Sequence, residues 1–436
     1  MDRRRRIRAL VATLLLLLAA LGVQAVTATP PAEGPIGSAD DAYPGNTLIT
    51  VQSFDSFTKD NGEAFIVSPE GEVVWRFDPP DSRVFDAERL DDETVMVSMA
   101  TRVPAVDCPA EFQNTDPNPS ICVQNRVAEV DIETNEIGWS YSWYDAWVQD
   151  HEVHDADRLE NGNTAIVDMG NERAFVVNRA GEVVWEWRAS EHIGPGTAFW
   201  AEYVPEDNQG AFRRKHPEGD WTHMNDIDSL ENGNLLLSIR NFDVILEVDG
   251  ETGDIVTVTG QPGGGPITEQ HDPNHLGQSE TMLVADSLNN RVVELDPSGE
   301  PIWTYTGSEL RLQWPRDADR LPNGNTLIVD SRNFRVVEVN ATGDVVWQYS
   351  LRGRRGIVYD ADRLGLPEEP DDVPGATAFT EAESVGTYES VTGYIESWAA
   401  FVFPPWVGFS ELVTMLASLV LAIGLGIDLN GYYREA

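Results

Sequence analysis

Along the middle of the chain apolar residues alternate with polar ones over runs of about four to six residues, each closed by Gly, Asn, Asp or Pro. In RVVEVNATGDVVWQYS, from Arg335, two such runs flank a polar turn. This is the period of two expected of half-buried strands, not the 3.6 of a helix. The runs come in groups of four. A unit DIDSLENGNLLLS from Asp226 recurs as DADRLENGNTAIVD from Asp155, as DADRLPNGNTLIVD from Asp317 and, degraded, as DAERLDDETVMVS from Asp86. A second pair of apolar runs follows each copy, so each predicts a four-stranded antiparallel sheet. Its Asn-Gly suits a two-residue hairpin between the first two strands. Small sheets repeated at roughly 40 to 70 residue intervals predict a β-propeller.

Anchored on the leucine before the turn, the copies fall at Leu90, Leu159, Leu230, Leu321 and Leu364, with Gly277 at that place in a weaker copy. The last copy, YDADRL from Tyr359, stops after its first strand, and the first, GNTLITV from Gly45, begins at its second. The two ends therefore complete one blade. The expected fold is all-β, a six-bladed β-propeller over residues 43–366 with Velcro-type closure.

The ends of the chain break the pattern. Residues 1–29 combine the basic RRRRIR with an apolar run, predicting a signal peptide cleaved after Ala25 or a retained N-terminal anchor. Residues 30–42 read as linker and 376–403 as an amphipathic juxtamembrane segment. Residues 404–428 are apolar enough for a transmembrane helix in membrane lipid, with a tail at 429–436. This order places the propeller on the extracellular side of the cell membrane.

Composition adds an environment. There are 73 acidic against 30 basic residues, a net charge of -43, and only Lys59 and Lys215 are lysines. Such a surface repels itself in dilute buffer and is screened in concentrated salt, as in halophiles. It disfavours nucleic acid as a partner. The only cysteines, Cys108 and Cys122, lie in an insertion at about 103–125, and in an exported chain they are expected to pair. A second insertion, at about 189–219, sets Phe199, Trp200, Tyr203 and Phe212 beside Arg213, Arg214, Lys215 and His216. It is a candidate cap over an anionic aromatic ligand, or else a loop packed on its own aromatics.

The candidate chemistry lies where the repeat is broken. Paired aspartates recur from blade to blade and read as framework. Histidines do not: His151, His154, His223, His271 and His275 each sit shortly before an anchor, and Arg240 stands where other blades have Met169, Ser287, Ser331 and Ala100. First strands begin on the face where second strands end, so these exceptions ring one mouth of the channel. Imidazoles with a planar guanidinium suit an anion. A metal on His151 and His154 is disfavoured because their spacing of three points strand side chains to opposite faces, and no Cys or Glu set completes a shell for that pair or for His271 and His275.

DWTHMND, SIR and EQHDP, with HDADRLENGN upstream, together resemble the aryl-sulfate sulfotransferase (arylsulfotransferase) family over about residues 45–364. The resemblance is to a haloarchaeal-type, membrane-anchored member. It implies a six-bladed propeller that moves a sulfuryl group from an aryl sulfate donor to a phenolic acceptor by a ping-pong mechanism, with no cofactor, metal or nucleotide. It implies His271 as the nucleophile that becomes sulfohistidine, His223 and Arg240 as holders of the sulfuryl oxygens, and His154, with His151 in reserve, completing the site. His275, Trp200, Arg213 and Arg214 are then candidate substrate contacts. The chain departs from the family's studied periplasmic members in lacking an N-terminal sandwich domain and carrying a C-terminal apolar span. A non-catalytic membrane-anchored propeller binding an anionic or aromatic ligand, or an aryl sulfate hydrolase, would use the same site.

Overall fold

Each copy of the repeat folds as one antiparallel sheet, and the inner strands of the six sheets pack against one another around a channel. The structure is a computed structural model that describes residues 3–27, 34–38, 42–52, 62–113, 120–146, 151–215, 220–277, 280–307, 311–351, 356–365, 373, 375, 407 and 409–435. The juxtamembrane segment expected at 376–403 lies outside them. Two units divide the chain, the propeller within 32–384 and a helical unit made of 1–31 and 385–436.

The first blade joins the chain's two ends: Ile357–Arg363 is its inner strand and Thr47–Gln52 its second, with Leu48 opposite Asp362 and Ile49 opposite Ala361. The inner strands of blades two to six are Ser82–Arg89, Val153–Arg158, Met224–Ser229, His271–Leu276 and Pro315–Arg320. The second strands are buried on both faces, and apolar residues of the blades pack between neighbouring sheets, as with Ile49, Phe65, Leu327, Val329 and Tyr349. Gly34–Ser38, within the stretch expected as linker, pairs with the outer strand of blade six as a fifth strand. That outer edge otherwise presents unpaired backbone groups, which a passing segment satisfies.

The turn is one residue longer than expected. Leu159 N–H donates to the Asn163 carbonyl at 3.1 Å and Gly162 N–H to the Leu159 carbonyl at 2.8 Å, leaving Glu160, Asn161 and Gly162 in the loop. Only the glycine has a positive φ, +82°, so the loop is the three-residue kind in which Gly takes the left-handed position.

The backbone also corrects the anchor of blade five. On four inner strands one aspartate accepts a backbone N–H from the next blade: Asp155 from Ile227 at 2.5 Å, Asp317 from Ala361 at 2.8 Å, Asp360 from Ala87 at 3.4 Å. Asp272 takes Ala318 N–H in the same way, at 3.1 Å. Leu276, not Gly277, is therefore the anchor. His271 then occupies the position immediately before the framework aspartate, which His154 occupies in blade three.

Blade two extends past the others as a long hairpin, Thr94–Pro104 with Ile121–Asp131, near whose tip Cys108 and Cys122 form a disulfide with Cα atoms 6.2 Å apart. The second insertion folds into short helices that bury Phe199 and Trp200 against Trp221 and Phe242.

In the helical unit Arg3–Thr27 and Phe409–Glu435 pack against each other. Both are long and apolar enough to cross a membrane. Arg6 near the start of one meets Asp428 near the end of the other through two 2.6 Å bonds, and Gln24 donates to Glu411 at 2.8 Å. The pair is therefore antiparallel.

Candidate active site

Three places in the repeat supply the site. The first is the residue just before the framework aspartate, which is Phe85, His154, Asn225, His271, Arg316 and Tyr359 around the ring. His154, Asn225, His271, Arg316 and Tyr359 line one cavity of about 40 Å³. The second lies two positions earlier, where His223, Glu269 and Trp314 have left-handed backbones with φ of +47°, +49° and +54°. The third is the start of the 3₁₀ turn after the second strand, held by Met169, Arg240, Ser287 and Ser331.

His271 is buried, and its ring orientation is set by two oxygens. Nδ1 lies 2.8 Å from Ser287 Oγ and 3.3 Å from the Glu269 carbonyl oxygen, which can only accept. Ser287 Oγ uses its one hydrogen on carbonyls, with Pro315 O at 2.6 Å. Nδ1 must then carry the proton. Nε2 keeps its lone pair. Burial, then Arg316 and Arg240, hold His271 well below the ordinary histidine range, so it is neutral at pH 7.

His154 packs face to face on Phe85, centroids 4.6 Å apart, and edge-on to His223 at 5.4 Å and Tyr359 at 5.7 Å. Burial, then His223 and Arg316, also hold it well below its usual value. His223 Nδ1 bonds Asp220 Oδ1 at 2.5 Å, yet burial and Arg240 bring its pKa to about 4. The DWTH loop that presents it is pinned from blade three, where the Glu172 carboxylate accepts Trp221 N–H at 2.7 Å and Thr222 N–H at 2.9 Å.

Arg240 pairs with Glu269, bonds Asn241 Oδ1 at 3.3 Å and lies 5.8 Å from the Trp314 ring centre. Its Nε has no partner among the described residues. Arg316 stacks on Tyr359 at 4.6 Å and donates to Gln52 Oε1 at 2.8 Å, and burial brings it down to about 10. Arg332, 5.9 Å from Trp314, comes down to about 8 by burial and the nearby Arg316. Arg316 thus lines the cavity with His154 and His271, both held neutral, while Arg240 and His223 lie close to them and Arg332 close to Arg316. An anion with several oxygens is the ligand that best relieves them.

Not every expected residue joins this group. His151 turns to Asp145, 3.1 Å away; burial pulls its pKa down, but Asp145 more than offsets this and leaves it raised. His275 is further along the inner strand, opposite Met282, at the register of Arg158 and Arg320 and away from the cavity. Trp200 is a core residue with Arg213 over its ring at 5.5 Å; the Arg214 side chain lies outside the described residues. Arg316, Tyr359 and Ser287 were missed. Their signal was present, because aligning copies on the aspartate instead of the leucine puts Arg316 and Tyr359 in one column with His154 and His271.

A family model described as arylsulfotransferase (ASST) matches residues 38–271, and one described as outer membrane protein assembly factor BamB matches 196–366. No curated protein matches significantly. Among solved structures, a protein of unknown function from Bacteroides caccae is 14% identical, covering 73% of this chain and 98% of its own, with a TM-score of 0.49. Virginiamycin B lyase from Staphylococcus aureus is 13% identical, covering 74% and 86%, with a TM-score of 0.41. A nidogen/laminin complex gives 12% identity, 73% and 97% coverage, and a TM-score of 0.43. At such values these likenesses carry nothing about activity. The arylsulfotransferase match spans more than half of the chain and holds His154, His223, Arg240 and, as its last residue, His271; the chain belongs to the arylsulfotransferase family.

Proposed function

We propose that the protein transfers a sulfuryl group from an aryl sulfate to a phenol, without a nucleotide, through a sulfohistidine at His271. The observation that carries this reading is the tautomer of His271, whose Nδ1–H is spoken for by Ser287 and Glu269 while Nε2 keeps its lone pair beside Arg316 and Arg240.

In the first half-reaction Nε2 attacks sulfur, the sulfur to aryl-oxygen bond breaks and a phenolate leaves. The ring becomes an N-sulfo imidazolium whose Nδ1–H bonds strengthen as positive charge develops. Arg240, Arg316 and His223 face the non-bridging oxygens, where charge must be met in a dry site. In the second half an acceptor phenol attacks sulfur, its proton passes to His154 and the N–S bond breaks. Because His154 rests neutral, it serves first as base and only then returns the proton to a leaving phenolate. This reverses the order expected of a residue protonated at rest. Summed over both halves, exchange between two phenols consumes no proton. The test is a chromogenic aryl sulfate in concentrated salt: phenol release should depend on added acceptor phenol. Equal release with water alone would favour a hydrolase, and none at all a binding protein.

The two apolar helices support a membrane-held protein, and the basic RRRRIR start is the reason for placing the propeller on the extracellular side. Two apolar helices tied by Arg6 and Asp428 form a hairpin in which the N-terminal helix is an anchor kept after export.

A further inference from the structure

Directly beyond the ring of His154, His271, Arg316 and Tyr359, the channel changes sign. The same cavity is lined by nine aspartates, among them Asp155, Asp226, Asp272, Asp317 and Asp319. We propose that this acidic centre is a binding site for a hard divalent cation, Ca²⁺ first, held by Asp272, Asp317 and Asp319.

Geometry supports it first. Those three residues each offer an oxygen, and the oxygens all lie within 4.8 Å of one another. That span is no longer than two Ca–O bonds of about 2.4 Å end to end. Asp272 Oδ2 already accepts Ala318 N–H and Asn274 Nδ2, at 3.1 and 3.0 Å, and Asp317 Oδ2 accepts Ala361 N–H, which fixes both carboxylates as ligand holders.

A second observation comes from a neutral side chain. Asn225 is 3% exposed and lines the same cavity. Its Nδ2 donates to the Gln270 carbonyl at 2.9 Å, while its Oδ1 has no partner among the described residues. A buried amide oxygen left so is costly. A cation, directly or through a water of its shell, satisfies it, and all-oxygen donors select calcium or magnesium over softer metals.

The cation also has a route. A wide cavity of about 1560 Å³ at the opposite mouth shares Asp228, Asp319 and Asp362 with the central one. That mouth carries Arg89, Arg158, Arg320 and Arg363, the last three paired with Glu129, Glu294 and Glu338, so a cation entering there avoids Arg240, Arg316 and Arg332. Nine carboxyls converging on one cavity repel one another unless protons or a cation offset their charge. The competing arrangement is a proton shared by Asp272 and Asp317, whose carboxyl oxygens lie within 4.8 Å of each other.

The full-length protein in detergent and concentrated KCl, stripped with EGTA, is titrated with CaCl₂ by calorimetry, and bound calcium is counted by elemental analysis. One Ca²⁺ per chain is expected, with affinity weakened about tenfold or more in Asp319→Asn, whose circular dichroism should be unchanged. Absence of bound calcium at millimolar CaCl₂ overturns the proposal in favour of the shared proton, and so does binding that Asp319→Asn leaves intact. If Asp319→Asn misfolds, the anomalous peak of Mn²⁺ in wild-type crystals decides, supporting the site at Asp272, Asp317 and Asp319 and overturning it anywhere else. Neither readout depends on sulfotransfer.

Discussion

Ser287 has no charge and no obvious chemistry, yet it determines which nitrogen of His271 is free. Replacing it by Ala removes the oxygen that holds Nδ1–H, leaving only the 3.3 Å contact to Glu269 O. We expect Ser287→Ala to lower kcat about tenfold, the cost of one lost buried hydrogen bond, and Ser287→Thr to recover most of it; rates for both with a chromogenic donor check this. The acid limb of the pH profile is a further test. His271 lies well below the usual 6.5 and His223 at about 4, so both stay neutral as pH falls through 6.5. The rate should hold from pH 7.5 down past 6, and an acid limb centred at 6.5 would show a nucleophile without its arginine neighbours. His271, His154, His223 and Arg240 were legible as breaks in a repeat. Arg316 and Tyr359 were not, because leucine anchoring set blade five one residue out of step and so took His271 out of the column they share with His154.

At the scale of elements, blade closure was readable because two truncated copies complement each other, and Asp362 opposite Leu48 is that complement in hydrogen bonds. Gly34–Ser38 could not be foreseen, since its pairing rests on an outer edge that offers backbone and no side-chain code. Aromatics of the second insertion suggested a ligand cap, but alone they do not distinguish a cap from core, and Trp200 is core. The terminal helices carry a prediction of their own. Arg6 and Asp428 are joined twice, with Asp428 only 5% exposed, so removing the first helix would strand a buried carboxylate in an apolar span. Peptide mapping of the detergent-extracted protein should recover residues from within Arg3–Thr27; a mature N-terminus at Val26 would contradict the hairpin.

For the whole molecule, charge is the governing quantity. A net charge of -43 covers the surface, and a column of carboxylates fills the channel. Burial raises Asp155 and Asp362 to about 7, above their unfolded value near 4. A raised carboxyl gives stability that is complete below the unfolded pKa and is lost as pH rises through the folded one. The depressed histidines act oppositely, but only as pH falls below about 6.5. The Tm should therefore drop as pH is raised from 6.5 to 8 in low salt, and the drop should shrink in concentrated KCl, where surface repulsion is screened. Thermal unfolding at two salt concentrations measures both slopes, and a Tm that rises over this range would mean the column is already neutralised.

The central claim is a covalent bond between sulfur and His271 Nε2. Enzyme mixed with an aryl sulfate in the absence of acceptor, quenched and measured by intact mass should carry one sulfuryl group, mapped by peptide analysis to His271. His271→Ala, correctly folded, should carry none and release no phenol. A sulfuryl adduct that persists in His271→Ala, or phenol release at near-normal rate from that variant, would contradict the account.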